Sequence, residues 1–200
     1  MTTWVEPEGG RERGVVGLAK SFTQVLVNPR TFFDEAVSPG DQAPGLVFGM
    51  AVVLVAVSTR LALNPGDALA FPTSDWLSGL LTVALVALLA TPAAIHALSA
   101  LETLALAVVA PERAGVSETV QVIAYAAAPC VFAGLGVPAV TLACGAWAFA
   151  LLVLGTSVVH EISLPRAFLA AVVPGVLGFG VGFGAYPAAQ NLAAEYGLAL

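Results

Sequence analysis

The chain has 200 residues, of which 58% are hydrophobic and only 10% charged, where a soluble domain carries roughly 25% charged residues. So few charges cannot cover a water-facing surface, so most of the surface must face lipid, in keeping with a mean hydropathy of +0.92. The net charge of −6, with Lys20 the sole lysine, argues against nucleic-acid binding, which needs a basic face, and suits a salt-rich, halophilic cytoplasm.

In chain order, residues 1–14 are polar and rich in Gly, with a Pro, and read as a disordered tail. A signal peptide is not expected, because no short apolar run follows a basic start. Val15, Leu18, Phe22, Val25 and Leu26 then fall at helical spacing, with Lys20, Ser21 and Gln24 between them. At about 13 residues this helix is too short to span a bilayer. It reads as an amphipathic helix on the membrane surface or against the bundle. Asn28-Pro29 restarts the helix, Asn28 as N-cap and Pro29 in the first turn. Phe32 and Phe33 anchor this second short helix, and Ser38-Pro39-Gly40-Asp41 ends it. Residues 15–42 thus form a cytoplasmic pair of amphipathic helices.

Residues 43–186 read as a five-span membrane domain, with spans near 43–63, 77–110, 119–135, 139–159 and 164–186 and a tail over 187–200. Each apolar run is at least about as long as the roughly 17–25 residues that cross a hydrocarbon core. The 77–110 run is too long for one simple span and carries Pro92, His96 and Glu102, so it either turns at Thr91-Pro92 or continues beyond the membrane. Counting Lys and Arg near span ends decides. With five spans, Arg11, Arg13, Lys20, Arg30, Arg113 and Arg166 share one side and Arg60 stands alone on the other. Splitting the long run moves Arg113 and Arg166 across and erases that bias. Five spans in the cell membrane, N-terminus cytoplasmic and C-terminus outside, are therefore expected.

His96 and Glu102 are ionisable groups inside a long apolar run, which makes them functional candidates by default. Six positions apart, they turn about 240° and do not share a helix face, though Ser99 lies midway. The competing reading is packing at the interface. Gly178, Gly180, Gly182 and Gly184 form overlapping small-xxx-small pairs, a candidate helix-packing face within one chain or between two. Pro129 and Pro174 are expected to kink their spans. Cys130 and Cys144 read as buried small side chains, and His160-Glu161 as a loop lacking metal-ligand spacing. No nucleophile–base arrangement is visible, Ser157 and His160 having no acid or oxyanion partner. No enzyme, cofactor or metal is expected.

Several pieces in order resemble the Yip family of Ypt/Rab-interacting membrane proteins, on its prokaryotic branch. They are Asn28-Pro29-Arg30-Thr31-Phe32-Phe33, then Ala124-Tyr125-Ala126-Ala127-Ala128-Pro129, then Trp147, and last His160-Glu161-Ile162-Ser163-Leu164-Pro165-Arg166-Ala167. The resemblance implies a five-helix bundle with a cytosolic N-terminus and singles out Asn28, Pro29, Phe33, Tyr125 and Pro129. Eukaryotic members bind Rab-type GTPases, but their Asp-Leu-Tyr-Gly-Pro type motif is replaced here by Ser38-Pro39-Gly40-Asp41, so that partner is not expected to carry over. The expected fold class is an all-α integral membrane bundle preceded by short amphipathic interfacial helices. Its expected role is non-enzymatic association with lipid or membrane proteins, including a homo-oligomer. A small transporter or channel using His96 and Glu102 is the alternative.

Overall fold

A computed structural model describes residues 14–197; most of the N-terminal tail expected over 1–14 lies outside them. All regular elements among these residues are helical. We label them α1 (Val15–Val27), α2 (Pro29–Ala36), α3 (Ala43–Leu63), α4 (Asp75–Val109), α5 (Val116–Leu135), α6 (Pro138–Val159), α7 (Leu164–Gly182) and α8 (Ala185–Glu195). Helices α3 to α7 are the five long and apolar enough to cross a membrane.

The two short helices dock on the bundle rather than beside it. Gly17, Ser21 and Val25 bury one face of α1, and Val25, Phe32 and Phe33 join the main apolar core. At their junction the Asn28 N–H closes α1 on the Gln24 carbonyl at 2.8 Å, and the Asn28 carbonyl opens α2 by accepting from Phe32 N–H at 3.0 Å. Pro29 sits in the first turn, and the Asn28 side chain makes no capping bond. The backbone, not the side chain, therefore performs the cap.

Helix α4 runs unbroken for 35 residues, about 52 Å at 1.5 Å per residue, against a hydrocarbon core of about 30 Å. No turn forms at Thr91-Pro92. Pro92 lacks the N–H for a bond one turn back, and the helix widens into a π-turn over Leu85–Ala90 just before it. There Thr91 bonds the Val86 carbonyl with both its N–H and its hydroxyl. Pro129 has a different effect: beyond Ala126, α5 tightens into a 3₁₀ helix over Ala128–Leu135. After Pro174, α7 widens into a second π-turn over Val176–Gly182. Gly184, at φ 80°, breaks the helix and leads into α8. The residues read as a tail after 186 are thus helical as far as Glu195, with Ala188 and Ala193 buried.

Helix α5 is the centre: 78% of its most apolar window is buried, against 22–39% for the other four. Helices α3 and α5 run side by side in the same direction. Gly45 faces Gln121 near one end of the pair, and Gly134 faces Ala56 near the other.

Candidate functional site

Three regions hold the residues with chemical potential. The first is an aromatic cluster where α2 meets the bundle. The Tyr125 ring packs edge-on to Phe32 at 4.9 Å and to Phe48 at 5.1 Å between centroids. Phe33 lies against Gly155 of α6, where a Cβ would come within 2.8 Å of its ring. Phe33 and Tyr125, singled out by the family resemblance, therefore fasten α2 to α5 and α6. Pro129 sits one turn beyond Tyr125, at the start of the 3₁₀ half.

The second region is polar and lies at the same face of the bundle. Gln121 is fully buried and clamps the main chain of Ser38: its Oε1 accepts from Ser38 N–H at 3.0 Å, and its Nε2 donates to the Ser38 carbonyl at 2.7 Å. One turn earlier, Glu118 Oε1 accepts from Gly40 N–H at 3.3 Å. The loop before α3 is thus held by α5. Glu102, fully buried, faces α6, where Thr156 donates its hydroxyl to Oε1 at 2.5 Å. One turn beyond Thr156, just past the end of α6, His160 Nε2 lies 3.4 Å from the Thr119 hydroxyl. Burial, and secondarily the nearby Arg113 guanidinium, pull the His160 imidazole down to about 4 from its usual 6.5. Glu102 Oε2, Thr103 Oγ1 and His160 Nδ1 have no hydrogen-bond partner.

His96 is elsewhere. It is exposed on α4, with Nδ1 2.7 Å from the Pro92 carbonyl. Ser99 does not bridge it to Glu102, because its hydroxyl donates to the Ile95 carbonyl at 2.7 Å. Nor does Ser157 address His160; it donates to the Ile162 carbonyl at 2.6 Å and ties down the turn after α6. Cys130 and Cys144 are free and buried. Among the described residues no three His, Cys, Asp or Glu converge as a metal site would need.

The third region is an apolar cavity of about 480 Å³ between α3, α4, α5 and α7. Gly178 and Gly182 belong to its wall. Of the candidate packing glycines, Gly178 approaches another helix, its Cβ position lying 3.0 Å from Leu98. Gly180 is half-buried, Gly182 is exposed, and Gly184 makes the left-handed turn between α7 and α8. The closest helix contacts are made by other glycines, among them Gly45, Gly49, Gly134 and Gly155.

Sequence reasoning missed Gln121 and Thr156. A signal for the first existed: Glu118 and Gln121, three residues apart on one face of an apolar span, are a polar pair that lipid would not tolerate. Thr156 carried no such signal.

Five apolar spans around a buried polar centre define a multi-pass helical membrane protein. The family model of the Yip1 domain matches residues 23–186, and the chain belongs to that family. The match takes in the C-terminal end of α1, α2 and all five spans. Comparison with curated proteins and with solved structures finds no match.

Proposed function

We propose that the protein acts without catalysis, by associating with lipids or other membrane proteins, with α1 and α2 in the cytoplasm and the C-terminus outside. Its acid-rich, lysine-poor composition supports a halophilic setting, and its resemblance to the prokaryotic branch of the family supports a prokaryotic one. The observation that carries the functional reading is the makeup of the apolar cavity. Among its lining residues only Arg60 and Thr91 have polar side chains, and the Thr91 hydroxyl is turned back on the Val86 carbonyl at 2.7 Å. Such walls suit acyl chains or apolar side chains and offer neither general base nor nucleophile.

The transport alternative asks His96 and Glu102 to share a polar path. One is exposed on α4 and the other is buried against α6, so the geometry favours association. Rab-type GTPase binding is left out of the proposal, because Ser38-Pro39-Gly40-Asp41 replaces the eukaryotic motif and both main-chain polar groups of Ser38 are engaged by Gln121.

The test places a photo-reactive residue at Gly182, on the cavity wall, and another at Val108, which is 83% exposed, in native membranes. Association predicts a discrete lipid or protein adduct from position 182 that position 108 does not give. Identical, diffuse labelling from both positions would sink the proposal. Single cysteines at residues 8, 68, 114, 162 and 198, probed with an impermeant thiol reagent, test the orientation. Labelling from outside at 68 and 198 alone is expected, and labelling at 114 or 162 overturns it.

A further inference from the structure

Both π-turns face the same cavity. Val86 and Ala90, from the widened stretch of α4, form one part of its wall, and Leu177, Gly178 and Gly182, from that of α7, form another. π-Turns displace side chains from regular helical register and are frequent at functional sites. The two here leave a gap between α4 and α7 against the α3–α5 pair. Exposed small residues, Ala94 on α4 and Gly182 on α7, keep that gap open. Two of the glycines conspicuous in the sequence, Gly178 and Gly182, thus line a groove.

Volume and length decide what the groove can take. One turn of α-helix with side chains, about 10–12 Å across and 5.4 Å high, occupies roughly 500 Å³. A cavity of about 480 Å³ could enclose about one such turn and not a whole transmembrane helix, whereas it suits a slender chain along its length. Along α3 its lining runs from Gly49 to Arg60, about 16 Å at 1.5 Å per residue. That is half of a hydrocarbon core of about 30 Å, the depth of one leaflet. At the membrane-surface end stands Arg60, the charged residue of the lining. Its side chain is 56% exposed, and its guanidinium is steadied by Asp67, whose Oδ2 accepts from Nε at 2.7 Å. Arginine carries five N–H donors, so this bond leaves the Nη groups to meet a phosphate.

We propose that the groove binds one phospholipid with an anionic headgroup, drawn from the leaflet at the C-terminal end of α3. One acyl chain lies between the two π-turns, and the headgroup phosphate sits at Arg60. This deepens the association reading and rests on it. Asp67 acts against the anion while orienting the arginine, so it tunes the affinity downward.

The test is native mass spectrometry of the detergent-purified full chain, offered dioleoyl phosphatidylglycerol or dioleoyl phosphatidylcholine, which share their chains and phosphate but of which only the second adds a choline cation that opposes Arg60. Wild type should retain one phosphatidylglycerol with about tenfold preference, because the choline cation of the other lipid offsets the pull of Arg60 on the phosphate. Arg60→Gln should bring the two lipids to parity, and Asp67→Asn should widen the preference. Ala94→Phe, at an exposed position where the core is undisturbed, should abolish retention of both, with helicity and thermal unfolding in detergent as the folding control. Equal retention of the two lipids by wild type overturns the proposal, as does a preference that survives Arg60→Gln. A dimer that takes up neither lipid would assign the groove to a second copy and also overturn it. A discrete adduct at Gly182 combined with any of these results leaves association standing and removes only the lipid assignment.

Discussion

Helices α3 and α5 lie side by side and run the same way, yet they are built on opposite terms. The most apolar window of α3 has a mean hydropathy of 2.2 and is 22% buried; that of α5 has 1.3 and is 78% buried. The least hydrophobic span is therefore the one most enclosed. In water the relation would be reversed, because apolar side chains would seek the inside. In a bilayer the lipid-facing positions must be apolar, since lipid offers polar groups no partner. A central helix can carry Glu118, Thr119 and Gln121 because its neighbours supply partners: the Gly40 N–H, His160 and the Ser38 main chain. Hydropathy in this bundle reports contact with lipid, not membership of the core.

The sharpest way to break the contrast is to force the two helices apart. Gly134 of α5 lies so close to α3 that a Cβ would meet the Ala56 carbonyl oxygen. Gly134→Val should destabilise the bundle by about 3 kcal/mol, as overpacking of a tight core does, read as an earlier midpoint in SDS titration from mixed micelles. An unchanged midpoint would mean that α3 and α5 do not touch there.

A smaller effect tests the polar neighbourhood of α5. The folded His160 imidazole titrates near 4 rather than 6.5, chiefly because it is buried. A depressed folded value means that the neutral ring is the form that folds. Its contribution is complete above about pH 6.5 and is lost as pH falls toward 4, by on the order of 2 kcal/mol. His160→Gln should flatten this part of the stability profile relative to wild type. Parallel profiles for the two proteins would show that the imidazole is solvated in the folded state.

The smallest effect is expected on the lipid-facing side. Leu88 of α4 is 64% exposed, so Leu88→Ala exchanges one lipid contact for another. The same SDS titration should move by less than about 0.5 kcal/mol. A shift comparable to that of Gly134→Val would erase the distinction between enclosed and peripheral positions.

The spans were legible because each is a continuous apolar run bounded by residues such as Asn64-Pro65-Gly66-Asp67 and Gly136-Val137-Pro138. The break between α1 and α2 was legible in Asn28-Pro29. Pro129 correctly marked a change in α5, although it tightens the helix rather than simply bending it. The site was less legible. Gln121 meets Ser38 across 83 residues of chain, and Glu102 meets Thr156 across 54; no local pattern joins either pair. The close-packed glycines are scattered singly, whereas the conspicuous series from Gly178 to Gly184 falls largely on a groove wall and a turn.

By itself the sequence determined that this is an all-helical membrane protein, how many long apolar helices it has and which residues carry the Yip-like pattern. Those properties are local: about 20 apolar residues match a bilayer whatever surrounds them. Only the tertiary structure decided that α5 is central, that Glu102 turns inward while His96 turns outward, and that two π-turns open onto one groove. Each depends on how a helix is rotated against its neighbours, and an apolar run that is hydrophobic on every side does not encode its own rotation.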